Sequence, residues 1–428
     1  MHPYDSIPEL AGLATYTAAA VVGWSVDENV RRLLRLHWSE RRLMRSMVAR
    51  LTAEPVWEVK CALALHQWQS ALRIDELRAR IAELRSPVPR LDEAPDGATD
   101  VDAFYDDLAG DGSTYAFVAG LYGRALPALA AAYRDHLDGC NPLVDHPTTR
   151  IVRGALPDLD AAIDWGVRAL AAIEAHDAAH RAPEALSPFH PQRDERFAGR
   201  YNFAFAPHVV YNMPGVTADE RNLALLCKRT LEMDVPEMMA SFMTERADAP
   251  WEFHRDYSRQ LWDEARHAMM GSVALEARGI DWKRDVPLNV SFALRLNLHA
   301  TPLERQMMLF AIEQSLMPGE TGKRFEHGTA VEAGDALSAH FHDYDWADEV
   351  LHAQIGRRAM RREGVPVDEA RARAHEIHER TWAALDRYAH RDTQHDWWPD
   401  FVRRTLGHES GATESARPEL KVFGILHT

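Results

Sequence analysis

Two segments of the chain spell the same chemistry. Residues 263–267 read Asp-Glu-Ala-Arg-His and residues 348–352 read Asp-Glu-Val-Leu-His. Residues three apart on a helix project from one face. Glu264 with His267, and Glu349 with His352, therefore each offer a carboxylate oxygen and an imidazole nitrogen to one point. A single such pair is an everyday surface feature. Two pairs, 85 residues apart, supply two nitrogens and two carboxylates to a common centre. Oxygen-rich sites with two imidazoles suit iron or manganese, whereas zinc favours four-coordinate closed or hydrolytic sites.

Two divalent ions carry about four positive charges, so a dinuclear centre calls for two more carboxylates. Glu232 lies 32 residues before Glu264, and Glu313 lies 36 before Glu349. At roughly 1.5 Å rise per residue, antiparallel helices joined by short loops bring such positions to one level. Glu313 is flanked by Ala311, Ile312 and Leu316, where an unpaired carboxylate is costly. Glu237, just after Pro236, and Glu320, just after Pro318 and Gly319, compete with or supplement Glu232 and Glu313. Proline within a helix frees a carbonyl and marks an irregularity. His342 and Asp345 fall seven and four residues before Glu349, as extra ligands or as polar lining. Tyr257 and Tyr344 lie near the motifs, where packing is the ordinary role and redox activity the alternative.

The order Glu, Glu-x-x-His, Glu, Glu-x-x-His resembles the ferritin-like, carboxylate-bridged diiron proteins. The resemblance spans roughly residues 217–365. It implies that Glu232, Glu264, His267, Glu313, Glu349 and His352 are both the metal ligands and the catalytic group. They would hold two Fe ions, with Mn as the alternative at one or both positions, and O2 as co-substrate. The stretch 263–267 is also similar to the motif of bacterial multicomponent monooxygenase hydroxylases, whose Asp orients a ligand histidine through the nitrogen not on the metal. By that match Asp263 and Asp348 orient imidazoles, with Asp263 opposite His352. The second motif has Leu351 where the first has Arg266, which leaves that Arg without a paired role.

The activity implied is that of an O2-activating non-haem diiron oxidase or oxygenase acting on a small organic substrate, by hydroxylation, desaturation or N-oxygenation, with a separate electron donor. A ferroxidase or a peroxide-scavenging, iron-handling protein is the alternative. A non-enzymatic helical scaffold and dinuclear hydrolysis are further ones.

The elements that must position these residues are helical. Apolar residues recur at three- and four-residue spacing over 26–51, 55–85, 114–137 and 148–176. These make a first four-helix set, broken by a Pro- and Asp-rich stretch at 86–100. It offers Glu58, His66, Asp75, Glu76, Asp158, Asp160 and Asp164 with no Glu-x-x-His spacing, so it is expected to be metal-free. Residues 181–216 carry prolines, glycines and aromatics without helical period and read as a linker or cap. Helical patterns resume over 216–246, 248–279, 301–320, 335–364 and 367–391. Thr217 with Glu220, and Thr301 with Pro302 and Glu304, read as helix starts. Gly279 and Gly364 read as helix ends. The expected class is all-α, two ferritin-like four-helix bundles in tandem with an additional C-terminal helix. The expected boundaries are 1–180, a linker at 181–216, a dinuclear metal domain at 217–405 and a tail at 406–428.

A net charge of −16 argues against nucleic-acid binding and against a basic membrane-surface patch. Three scattered cysteines, Cys61, Cys140 and Cys227, fit a reducing compartment. No run is long and apolar enough to span a bilayer, and the N-terminus lacks a basic leader segment. A cytoplasmic protein is expected, and a homodimer is compatible with it.

Overall fold

The computed structural model describes residues 2–108, 112–182, 189–199, 210, 213, 215–288, 290–317, 322–384 and 397–412. Most of the expected linker, Glu320 and the end of the chain lie outside the described residues. Among those described, every regular element is a helix, and none is long and apolar enough to cross a membrane. The chain divides into two compact units, residues 1–47 with 65–184 and residues 48–64 with 185–428. Residues 48–64, which the sequence pattern places in the first bundle, thus group with the second unit.

The long helices of the first unit begin with α1 (Val26–Leu51) and α2 (Trp57–Leu84), whose facing ends 48–64 belong to the second unit. A helix over Thr114–Gly120 and a π turn at Leu121–Ala125 lead directly into α3 (Leu126–Gly139), and α4 covers His146–Ile173. The stretch 86–100, which reads as a break, leads into an additional short helix over Thr99–Asp106. The interior of this unit carries its own ion pair. Glu40 accepts hydrogen bonds from Arg73 (3.1 Å) and from the Tyr133 hydroxyl (3.0 Å), and also from Ser70. A buried carboxylate is tolerable only when paired in this way.

The second unit carries α5 (Ala218–Leu231), α6 (Asp234–Glu245), α7 (Trp251–Glu276), α8 (Ser291–His299), α9 (Pro302–Ser315), α10 (Lys323–Glu332), α11 (Ala336–Arg362), α12 (Val367–Ala383) and α13 (Trp398–Leu406). Helix α5 packs on α7, α9 packs on α11, and α7 packs on α11; α10 leans on both α5 and α11. The helix expected over 216–246 is two helices. Pro236 lacks an N–H, and its ring crowds the carbonyl four residues back, which is that of Glu232. The chain breaks there, between Leu231 and Asp234. The Thr301 hydroxyl accepts from the Glu304 amide while the Glu304 carboxylate accepts from the Thr301 amide. The other helix start keeps only half of that arrangement. Thr217 accepts from the Glu220 amide, but the Glu220 side chain turns to the indole of Trp398, 2.8 Å away. Gly279 and Gly364 take positive φ after α7 and α11, which glycine adopts without steric cost. Helices α8, α10 and α13 were not legible in the sequence pattern.

Candidate metal centre

Helices α7 and α11 present their repeated motifs to each other. The rings of His267 and His352 have centroids 5.8 Å apart and are fully buried. His352 Nδ1 lies 3.2 Å from Glu264 Oε1 and 3.2 Å from Glu349 Oε2. His267 Nδ1 lies 3.2 Å from Asp345 Oδ1 and 3.7 Å from Glu264 Oε2. The other nitrogen of each ring turns away from the cluster to an aspartate of the opposite helix. His267 Nε2 is 3.1 Å from Asp348 Oδ2, and His352 Nε2 is 3.3 Å from Asp263 Oδ2. The aspartates therefore serve crosswise, which fixes which nitrogen faces the centre.

Arg266 resolves the mismatch between the two motifs. Its Nη2 lies 2.7 Å from Asp263 Oδ1 and 2.7 Å from Asp348 Oδ2. One guanidinium bridges both aspartates, so the second motif needs no arginine and has Leu351 instead. Arg259 adds a 2.7 Å contact to Asp263.

The lone carboxylates arrive from the two remaining helices, with different outcomes. Glu313 on α9 joins Glu264, Glu349 and His352, with one ligand atom of each within 4.8 Å of the others. All four are buried. Glu232, at the break after α5, joins His267 and Asp345 in a second group with the same spacing. The six residues expected as ligands are thus brought into two adjoining groups, with Asp345 added to the second. His342 and Asp345 form a third group with Glu326. Glu237 is elsewhere. Its carboxylate is fully buried against Lys60 and Arg193, so it is an ion-pair partner there. Tyr257 is buried and donates to Gln306 at 3.3 Å, while Tyr344 is exposed.

Two cations at the centre escaped the sequence reading. Lys323, at the start of α10, is 1% exposed. Its Nζ lies 2.9 Å from Glu349 Oε1 and 2.9 Å from Asp345 Oδ2. Arg229 on α5 contacts Glu232 (2.8 Å), Glu326 (2.8 Å) and Asp345 (2.5 Å). The repeat also proves longer than five residues. Both motifs continue to a glycine, giving Asp-Glu-x-x-His-Ala-x-x-Gly over 263–271 and 348–356. A Cβ on Gly271 would stand 2.5 Å from Arg229 Cβ and 2.8 Å from the Thr230 amide nitrogen. A Cβ on Gly356 would stand 2.7 Å from Phe310 Cδ2. Arg229 and Phe310 each precede a lone carboxylate, Glu232 and Glu313, by three residues. The glycines admit the neighbouring helices at the level where those carboxylates are needed.

Electrostatics follow from this packing. Burial pushes the Glu313 carboxyl well above the usual range, and the nearby charge of Glu349 pushes it further. Burial alone would raise Glu349 as well, but Lys323 and His352 hold it well below. Glu264, likewise penalised by burial, is held down by His267 and His352. Burial would lower His267, yet Asp345, Asp348 and Glu264 push it up to about 10. His352 is raised for the same kind of reason by Asp263, Glu264 and Glu349. His342, by contrast, is lowered to about 3 by burial and then by Arg229.

The donor set fits a hard or intermediate cation. Glu313 Oε2 is a buried polar atom without a hydrogen-bond partner among the described residues. A buried lone pair left unmatched is costly, and a metal ion would satisfy it. The second unit thus places side chains able to hold metal at two adjoining points. In the first unit, one trio of the described residues has metal-compatible spacing: His136, Cys140 and Asp145. Asp145 there is already engaged by Arg80 at 2.8 Å, by Thr148 at 2.6 Å and by Asn29. Comparison with protein-family models, with curated proteins and with solved structures returns no match.

Proposed function

We propose that the second unit is a ferritin-like, carboxylate-bridged metal enzyme that uses iron, with manganese as the alternative, to activate O2 against a small organic substrate. The observation that carries this reading is the convergence of Glu264, Glu313, Glu349 and His352, with both histidines oriented crosswise by Asp263 and Asp348. An ordinary structural ion-pair network does not require two imidazoles held in one orientation by carboxylates outside the cluster. When bound, iron in such a carboxylate-rich setting supplies the reduction of O2 and the oxidation of a neighbouring substrate.

The chain's own residues have defined parts in this reading. Glu264 contacts both imidazoles, His352 Nδ1 at 3.2 Å and His267 Nδ1 at 3.7 Å, and would serve both groups. Glu313, Glu349 and His352 would hold an ion in the first group, and Glu232, His267 and Asp345 in the second. Asp263, Asp348 and Arg266 keep Nδ1 of each imidazole facing inward. Leu261, Phe310 and Ile355, one helical turn from Glu264, Glu313 and His352, are buried and would keep bulk water out. Electrons would come from a separate donor.

The test is to load the full chain with saturating ferrous iron without oxygen, count bound iron, then admit O2 with a reductant. Bound iron and O2 uptake, both lost in Glu349→Ala, are expected. No iron retained, or iron retained with no O2 consumed, would overturn the reading.

A further inference from the structure

This inference rests on the metal-centre reading and concerns how its two positions differ. The second group, Glu232 with His267 and Asp345, is built among cations. Lys323 Nζ lies 3.0 Å from Asp345 Oδ1, 2.9 Å from Asp345 Oδ2 and 2.9 Å from Glu349 Oε1. Arg229 holds Glu232, Asp345 and Glu326, and Lys228 reaches Glu326 at 2.5 Å. The carboxylates of Glu232, Asp345 and Glu326 thus face Lys228, Arg229 and Lys323, charge for charge. Asp263 and Asp348 are matched in the same way by Arg259 and Arg266.

The first group is different. Among the described residues, Glu264, Glu313 and Glu349 meet one lysine or arginine, the same Lys323, which reaches only Glu349; their other cationic neighbours are the imidazoles of His267 and His352, which give up their protons when they ligate an ion. Carboxylates not tied to a lysine or arginine therefore collect at the first position and not at the second. A divalent ion entering the second position would lie within a few ångströms of an ammonium and a guanidinium in a poorly screened interior, where like charges repel strongly. Lys323 is the movable one of the two. It sits on a flexible four-carbon stem, whereas Arg229 is clamped by three carboxylates.

We infer that Lys323 holds the place of the second metal ion. The centre takes its first ion among Glu264, Glu313, Glu349 and His352. It takes a second only by displacing the ammonium from Asp345 and Glu349. The two positions load in order, and Lys323 sets the gap between them.

The test titrates the metal-free full chain with Mn2+, which needs no exclusion of oxygen by redox chemistry, by calorimetry with elemental analysis of the product. Wild type should bind one ion tightly and a second at least about tenfold more weakly. Lys323→Met, neutral and of similar length, should tighten the second ion by about tenfold or more. Lys323→Arg should keep the wild-type gap. Anomalous scattering from the singly loaded wild type should place the ion beside Glu313 and His352. Two equal ions in wild type, a first ion beside Glu232, or a gap unchanged in Lys323→Met would each overturn the inference. If Lys323→Met fails to fold, the wild-type titration and the position of its first ion still decide. No Mn2+ bound at any concentration would overturn the metal-centre reading itself, which separates the two failures.

Discussion

Asp263 lies on the same helix as His267 but points its Oδ2 at His352, 3.3 Å away on the opposite helix. Asp348 returns the relationship to His267 at 3.1 Å. Each motif therefore depends on the other for the orientation of its own imidazole. Asp263→Asn or Asp348→Asn leaves all the proposed ligands in place but weakens this orientation. Metal affinity, measured by competition with a chelating dye, should fall by roughly 10- to 100-fold in either variant. Equal affinity in wild type and both variants would show that the crossed pairs are only structural.

Metal binding should depend steeply on pH. His267 is raised to about 10 and His352 is also raised, so at neutral pH both rings carry a proton that an ion must replace. Lowering the pH strengthens the proton's hold, and raising it favours the metal. Between pH 6 and 8, Mn2+ affinity should rise by about tenfold per unit for each proton displaced, from the two imidazoles and from Glu313. Protons should appear in a weakly buffered titration. A flat profile would contradict this.

Glu313 is the one carboxyl of the centre that burial pushes well above its usual range. Burial and the charge of Glu349 both disfavour its ionised form in the metal-free chain, so Glu313→Gln should cost little stability, within about 1 kcal/mol. Its effect on metal should be large, because the amide cannot supply the anion. Thermal melts with and without Mn2+ check both halves. The metal-dependent rise in Tm, which follows the binding equilibrium, should vanish while the metal-free Tm stays close to wild type.

Gly271 has no room for a side chain against Arg229 and the Thr230 backbone. Gly271→Ala should destabilise the chain by about 1–3 kcal/mol through overpacking, and should weaken metal binding by displacing Glu232. Gly356 meets the ring of Phe310 at 2.7 Å and no backbone atom closer than 3.5 Å, so Gly356→Ala should be milder. Denaturant unfolding of the two variants, with Mn2+ titration of each, gives the comparison.

The all-helical class and most long helices were legible because their apolar spacing is regular and their caps are explicit, as at Thr301 and Gly364. The motif helices α7 and α11 were legible for the same reason. What escaped lay on short elements. Helix α10 follows a Pro-Gly segment and has a polar, mixed sequence, so neither its existence nor the burial of Lys323 could be read. Arg229 looked like one more basic residue near a helix end, because its three carboxylate partners lie 3, 97 and 116 residues away. The break at Glu232 was legible in principle, since Pro236 marks the carbonyl four residues earlier. The glycines at 271 and 356 were visible as a repeat and required only that the comparison of the two motifs run four residues further.

Those glycines also give the centre a handedness of character. Exchanging α5 and α7 for α9 and α11 maps one half of the centre onto the other: motif onto motif, lone carboxylate onto lone carboxylate, glycine onto glycine. The residue that each glycine receives does not obey the exchange. One half receives the stem of Arg229, whose guanidinium runs on into Glu232, Glu326 and Asp345, and the other the ring of Phe310, so a template used twice ends in a buried cationic pole and a buried aromatic one.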